Sequence, residues 1–542
     1  MSLAPQSASL RQSCDRLVVA YRSGDLPETE KQALDVLAAD PAHFEANHIL
    51  GVTRARQERY AEALDLLNAA LAARPRATEV LRHRGNVLTA LGRADDSKRD
   101  YEEAAAATKD FTVLFDRAAA LHGEQALSAL DSALAIRPYS VEVWNARGGV
   151  LMDMNRLADA VECFDRSLSI EPNIPEGLYN RGNALQALGR HEDALACYDR
   201  ALAIRPSFLE AQNNRGITLW SLRRFDDATA AFRKALALKP EFTRALNNLG
   251  GILCENNHLE EGFTTFTQHA QKVYGGTGPS DENSSPHKVK HDAEQFAYLA
   301  ERGAAGGSTP SRLKFHLTDG DKLSTPAVNP AAAVSEISEQ WQSKRPQIVV
   351  IDNFLTAEGL EKLRRFCRGS TVWRRSYPDG YLGAMAEHGF ACPLLAQIAD
   401  ELRATFPAIF RQLPLCYLWG FKYDSSLKGI GIHADAAAVN VNFWITPDEA
   451  NLDPETGGLV VWDAAAPLDW DFEKYNNDGA AIWEFLAQNN AKSTTIPYRA
   501  NRAVIFDSDL FHATDTIKFK DGYLNRRINV TLLYGRREAG EE

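Results

Sequence analysis

Apolar side chains recur at helical spacing through the first half of the chain and at alternating spacing through much of the second. In 175–205, Leu178, Gly182 and Leu185 share one helical stripe, Gly189-Arg190 marks a turn, and Ala194, Tyr198 and Ala201 share a second stripe. Pro175 suits the first turn of a helix, where the missing N–H costs nothing. The unit recurs. Pro138, Pro172, Pro206 and Pro240 lie 34 residues apart, as do Gly148, Gly182, Gly216 and Gly250. The same offset relates Pro41 to Pro75 and Gly51 to Gly85, whereas Gly85 and Gly148 are 63 apart. One repeat around 107–137 is therefore short by about five residues.

After Gly275 the rhythm stops. GGTGPSDENSSPHKVK reads as a loop, 290–302 as one helix, and AAGGSTP as its end. QIVVID at 347–352 reads as a strand, and Thr356 as the cap of a helix running through Cys367. A further helix is expected at 391–410. Beyond Pro414, LCYLWGFKYD, VNVNFWI, GGLVVW, ANRAVIFD and RRINVTLLYG are short β-prone runs, which predict an antiparallel sandwich. The stretch 447–500 is longer than a hairpin and carries a predicted helix at 479–489, so it reads as an insertion near the open end of the sandwich. The expected organisation is a helical array over 1–275, a linker with a possible short helix over 276–345, and a strand-rich domain over 346–542.

A helix pair this short buries its apolar face only by stacking on its neighbours. Gly182, Ala194 and Ala201 let the two backbones approach, and Tyr198 fills the gap beside them. The following unit repeats this with Gly216, Ala228, Phe232 and Ala235, and the preceding one with Gly148, Ala160 and Phe164. This G…A…F/Y…A…P rhythm of period 34 resembles the tetratricopeptide repeat family over roughly 10–275. The resemblance implies an all-α solenoid whose groove holds a protein or peptide partner. An internal spacer, a dimerising face and a support for the second half are the other readings. Asn180, Asn214 and Asn248 recur two residues before the glycines, either lining the concave side or bridging adjacent repeats. Cys163 and Cys197, one repeat apart, read as small buried hydrophobes.

Composition narrows the function classes. The 542 residues are 45% hydrophobic and 24% charged, as in a folded protein, and the net charge of -12 argues against a broad nucleic-acid surface. Seven cysteines without a CxxC pair argue against a disulfide framework or thiolate zinc site and fit a reducing, cytoplasmic compartment. MSLAPQSASLRQSCDRL lacks the signature of a secretory signal, and no apolar run of membrane-spanning length is present.

The chemistry concentrates after Pro414. His433 and Asp435 stand two apart, and in an extended strand such residues share a face, so one imidazole and one carboxylate can bind a single ion. His512 follows 77 residues after Asp435. Two histidines and a carboxylate suit octahedral Fe(II) with three open positions, although zinc could use the same atoms. Arg526-Arg527 opens the last strand run, and an arginine there offers a fork for a carboxylate. By alternation Arg527 shares a face with Asn529 and Thr531, a polar lining, whereas Arg526 shares one with Ile528, Val530 and Leu532. Arg527 is thus the favoured anchor and Arg526 the alternative.

This set resembles the 2-oxoglutarate- and Fe(II)-dependent oxygenases, especially their prolyl-hydroxylase-like branch, over about 346–536. Tyr423, Asn442, Gly457-Gly458 and Phe506 are supporting features. The turn before Phe506 reads Tyr498-Arg499-Ala500-Asn501-Arg502, where a glycine is common in that family; Asn501 tolerates left-handed geometry. The resemblance implies an α+β domain on a double-stranded β-helix (jelly-roll, cupin-like) core. It implies Fe(II) on His433, Asp435 and His512, and 2-oxoglutarate held by Arg527 with Tyr423 and Asn442. Dioxygen is the second cosubstrate, and the product is a hydroxylated C–H bond. The substrate would be a protein or peptide recruited partly by the repeats. A small-molecule hydroxylase and a binding scaffold with an inactive oxygenase domain are the alternatives. Trp444 could border the substrate, Trp462 reads as core, Asp509 and Asp515 as surface, and Arg374, Arg375 and Tyr377 as surface or a pocket cover.

Overall fold

The computed structural model describes residues 4–107, 111–275, 285–304, 309, 313–330, 333–410, 413–427 and 429–537. Contacts divide the chain into two compact units, 1–218 and 219–542, with the boundary inside the helix Leu209–Ser221.

The first unit is a run of antiparallel helix pairs, from Ala4–Ser23 and Leu26–Ala39 to Pro175–Ala187 and His191–Ile204. The shortened repeat appears where expected: Phe111–Ala119 has 9 residues against 13 in Val141–Asp153. The periodic glycines have one physical reason. A Cβ on Gly182 would stand 2.6 Å from the Tyr198 ring, and one on Gly148 2.6 Å from the Phe164 ring. The rule extends outward, with Gly85 against Tyr101 at 2.9 Å and Gly51 against Leu67 at 2.9 Å. Each first helix thus gives up a side chain so that a large one from its partner can lie on bare backbone. A second ladder lies nearer the surface: Arg147, Arg181 and Arg215 reach back 16 residues to Asp131, Asp165 and Asp199 at 2.9, 2.6 and 2.6 Å. Of the recurring asparagines, Asn214 bonds to Asn183 (2.9 Å) and to Tyr179 (3.2 Å), which bridges adjacent repeats.

The second unit is built on strands β1 (Ile348–Ile351), β2 (Arg375–Ser376), β3 (Tyr381–Met385), β4 (Leu415–Tyr423), β5 (Ser426–Leu427) and β6 (Val439–Trp444), followed by β7 (Leu459–Ala465), β8 (Ser493–Ile496), β9 (Ala503–Asp507), β10 (Leu510–Thr514), β11 (Ile517–Lys518) and β12 (Ile528–Tyr534). A seven-stranded antiparallel sheet has the order β1-β9-β6-β12-β4-β3-β2, a three-stranded one the order β10-β7-β8, and β11 pairs with β5. One face of the large sheet packs through Val441, Phe443, Val530 and Leu532 on the helices Ala357–Gly369 and Pro393–Thr405. The other meets the small sheet: Tyr423, Trp444, Val504 and Phe506 interdigitate with Leu459, Val461, Ile496 and Leu510. Thr356 caps its helix by accepting from the Gly359 N–H at 3.2 Å. Asn501 has φ 62, the left-handed turn its side chain tolerates, and it clamps Leu355 with both ends of its amide.

Of the stretch expected as a linker, 276–284, 305–308, 310–312 and 331–332 lie outside the described residues. The remainder is packed on the sheet unit rather than free. Pro286–Ala300 is a helix that buries His291 and Gln295, and Glu294 holds Arg526. Downstream, Glu401 accepts the N–H groups of Ala327 and Val328 at 2.7 and 2.8 Å. The helix expected over 290–302 forms as Pro286–Ala300, and its polar groups find buried partners. The repeat helices Phe225–Leu238, Thr243–Glu255 and Leu259–Tyr274 also belong to this unit. Thr267 donates to the carbonyl of Ala391 at 3.0 Å, the His269 ring bonds that of Glu387 at 2.9 Å, and Arg536 pairs with Glu255 at 2.5 Å.

Candidate metal centre

His433, Asp435 and His512 converge so that one ligand atom from each lies within 4.8 Å of the others, the one group of three such residues among those described. The two histidines face each other across an isolated antiparallel bridge, with N–H to carbonyl bonds of 3.0 and 2.8 Å in the two directions. Their rings are 4.4 Å apart. His512 sits in β10, a strand of its own after the Ser508-Asp509 turn. His433 to Asp435 do not form a regular strand. The loop is shaped by the insertion instead: the Ala434 N–H donates to the Tyr475 carbonyl at 3.0 Å, and the Asn476 amide donates to the Ala434 carbonyl at 2.9 Å. Held at its middle residue on both sides, the loop turns His433 and Asp435 toward one point.

The protonation pattern follows from the partners. His433 Nδ1 lies 2.8 Å from the Gly431 carbonyl, and His512 Nδ1 lies 3.0 Å from that of Leu510. A carbonyl only accepts, so both Nδ1 atoms carry a proton, which leaves the two Nε2 atoms as the nitrogens that can offer a lone pair to a cation. Those Nε2 atoms lie 4.0 and 3.5 Å from the carboxylate oxygens of Asp435. Burial, and then His512, pushes His433 below the ordinary imidazole value, with Asp435 pulling the other way. Burial opposes ionisation of Asp435, but His512, His433 and the Asn440 amide outweigh it and hold the pKa below the usual carboxylate range. Neutral imidazoles and an ionised carboxylate are the forms that bind a cation. Asn440, which donates to Asp435 at 2.7 Å, and Phe506, whose ring meets His512 edge-on at 4.9 Å, fix the two ligands.

Behind the triad the space between the sheets is polar and then cationic. Asn529 donates to Asn442 at 3.2 Å, and both asparagines reach Thr531 at 3.3 Å. Next comes Arg527, 1% exposed, just before β12 begins. Its Nε donates to the Gly457 carbonyl at 2.7 Å, and Nη2 lies 3.4 Å from that of Gly458. A Cβ on Gly458 would stand 1.9 Å from the Ile496 carbonyl oxygen, so only glycine brings that backbone so close. Among the described residues no carboxylate lies within ion-pair distance of Arg527. Its neighbours are the rings of Tyr423 at 4.8 Å, Trp444 at 5.7 Å and Tyr498 at 6.0 Å. Burial depresses its pKa, against the pull of Tyr423, Tyr498 and Asp515. Arg526 faces the opposite way and is spoken for, by Glu294 at 2.9 Å and Asp424 at 3.5 Å.

Tyr377, Tyr381 and Tyr423 stack at 4.5 and 5.4 Å, a column that runs from β3 to Arg527. Asp509 is paired with Arg537 at 2.7 Å, and burial lifts its pKa to about 6. Sequence reasoning missed Asn440, Asn476 and Tyr381. Asn440 alone left a signal, a second polar residue in the otherwise apolar run VNVNFW.

Three tetratricopeptide repeat family models match the chain, one over 15–78 and 213–272, one over 141–174 and one over 175–208. No curated protein matches it. Among solved structures, the C-terminal part of a TPR repeat-containing protein from Cytophaga hutchinsonii is 15% identical, covering 44% of this chain and 99% of that one, with a TM-score of 0.37. A tetratricopeptide repeat protein from Parabacteroides merdae is 16% identical over 50% and 95%, with a TM-score of 0.32. YrrB, described as a TPR protein with an unusual peptide-binding site, is 16% identical over 40% and 95%, with a TM-score of 0.25. The N-terminal region is a tetratricopeptide repeat solenoid, and the C-terminal region carries a triad able to coordinate a metal ion.

Proposed function

We propose that the C-terminal unit is a 2-oxoglutarate- and Fe(II)-dependent dioxygenase that hydroxylates a C–H bond, and that the strands form the double-stranded β-helix of that class. The observation that carries the reading is a buried guanidinium, Arg527, with no carboxylate partner among the described residues, on the inter-sheet side of the same unit as a triad of two histidines and one carboxylate. An unpaired buried charge is costly unless a ligand completes it. A dicarboxylate with one end at Arg527 and the other at the triad would do so.

In this reading His433, Asp435 and His512 would hold Fe(II), which supplies activation of dioxygen when bound. Arg527 and Tyr423 would bind the remote carboxylate of 2-oxoglutarate, and Asn442, Asn529 and Thr531 would line the space between. The two Nδ1–H groups remain donors to backbone carbonyls throughout and keep the Nε2 lone pairs directed inward. The balanced reaction is substrate C–H plus 2-oxoglutarate plus O2, giving C–OH, succinate and CO2. The substrate class is a protein or peptide, which the repeat array supports because such arrays generally serve partner binding. Among the described residues no helix is long and apolar enough to cross a membrane; the assignment to the cytoplasm rests on the unpaired cysteines, which suit a reducing compartment.

Succinate release from Fe(II), 2-oxoglutarate and a peptide or metabolite library tests this, with His433→Ala as the control. Turnover by the wild type alone is the expected result. Equal turnover in both, or failure of the wild type to bind 2-oxoglutarate once metal-loaded, would overturn it.

A further inference from the structure

Buried hydrogen-bonding atoms almost always find partners. Around Arg527 one does not, Trp444 Nε1, and Tyr423 Oη is close to Thr514 and Arg527 without a hydrogen bond of good geometry. Both rings flank the guanidinium, and Trp444 is fully enclosed. Alternation along β6 places Trp444 on the same face as Asn440 and Asn442, which bond to Asp435 and Thr531 inside the inter-sheet space. Trp444 packs there among Tyr423, Leu459, Tyr498 and Phe506. The indole offers a donor and nothing else. An arginine fork with only long contacts at Nη1 and Nη2, a phenol and an indole N–H stand side by side.

From this we infer that Trp444 is a binding residue for the anion: its Nε1–H donates to the remote carboxylate of the cosubstrate, as the third arm of a clamp with Arg527 and Tyr423. The inference rests on the proposed cosubstrate and deepens it. A carboxylate has about four lone-pair sites, and Arg527 has spent Nε on Gly457 and makes long contacts from Nη2 to Gly458 and from Nη1 to Asn529. The fork alone therefore leaves acceptor capacity that the phenol and the indole would fill. The pairing also gives selectivity. A 2-oxo acid without a second carboxylate would leave the Trp444 N–H unpaired and the Arg527 charge uncompensated.

The test uses the full chain loaded with Zn(II), which is diamagnetic and inert to dioxygen, and 2-oxoglutarate as the probe. Replacing Trp444 by 3-benzothienylalanine removes the N–H and keeps the ring size; Trp444→Phe is the second variant. Calorimetry should show 2-oxoglutarate binding about tenfold weaker in both, in line with one lost hydrogen bond to a charged group. With 5-fluorotryptophan incorporated, the 19F line absent from Trp444→Phe should move when 2-oxoglutarate is added to the wild type. Wild-type binding with benzothienyl affinity within twofold, or an unmoved 19F line, overturns the role of Trp444 alone. Absence of wild-type binding overturns both this inference and the dioxygenase reading.

Discussion

Among the described residues each half of the molecule holds one pair of histidine rings in contact, and the two pairs are wired in opposite ways. In the solenoid, His48 Nε2 and His83 Nδ1 bond to each other at 2.8 Å, with the rings 5.0 Å apart. Arg82 donates to His83 Nε2 at 2.8 Å, so His83 is neutral and gives its one proton to His48. In the sheet unit the rings of His433 and His512 come closer still, at 4.4 Å, yet they share no ring-to-ring hydrogen bond. Each instead spends its proton on a backbone carbonyl two residues upstream. The first pair has used its lone pairs on itself and its neighbours. The second keeps them directed at a carboxylate. Proximity of imidazoles is therefore no sign of a metal site; the direction of the remaining lone pairs is.

The sharpest way to break this contrast is to remove the carboxylate. Asp435→Asn should weaken Mn(II) binding, followed by the electron paramagnetic resonance of free Mn(II), by more than about a hundredfold, beyond the cost of losing an outer partner. The double replacement of His48 and His83 by Gln should leave it unchanged. Next come the groups that aim the ligands. Asn440→Ala and Asn476→Ala should each lower Mn(II) affinity by about 10–100-fold, with the far-ultraviolet dichroism preserved. A solenoid change should do the reverse. Gly182→Leu forces bulk against the Tyr198 ring and should cost about 1–3 kcal/mol in thermal stability, with Mn(II) affinity intact.

The smallest effect concerns pH. Burial first, then Arg82, His48 and Arg56, lower the pKa of His83 from 6.5 to about 3. Between those values the unfolded chain binds a proton that the folded one refuses, so stability falls as pH drops from 6.5 toward 3. His83→Gln should flatten that part of the curve in denaturant titrations taken at pH 7 and pH 4.5.

The contrast also explains what could be read from residues alone. The solenoid was legible because one local rule, a glycine in the first helix and a large side chain 16 positions later, is written six times between Gly51 and Phe266, five of them with a ring. The sheet unit was partly legible. The runs that became β4, β6, β7, β9 and β12 alternate or are apolar, but β3 and β10 are embedded in turn-rich sequence and are strands only because neighbours pair with them. The triad announced itself by residue type and spacing. The clasp on Ala434 by Tyr475 and Asn476 did not, since a backbone partner 42 residues away leaves no pattern in either segment. The described part of 285–345 looked like a tether because its polar groups carry no hint of the buried carbonyls and guanidinium they meet.

The seating of Leu259–Tyr274 on Glu387 and Ala391 has a practical corollary. A protease site engineered between Gly275 and Ser285 would sever the covalent chain without separating the halves. The nicked protein should migrate as one particle in gel filtration and fall into two bands only in detergent.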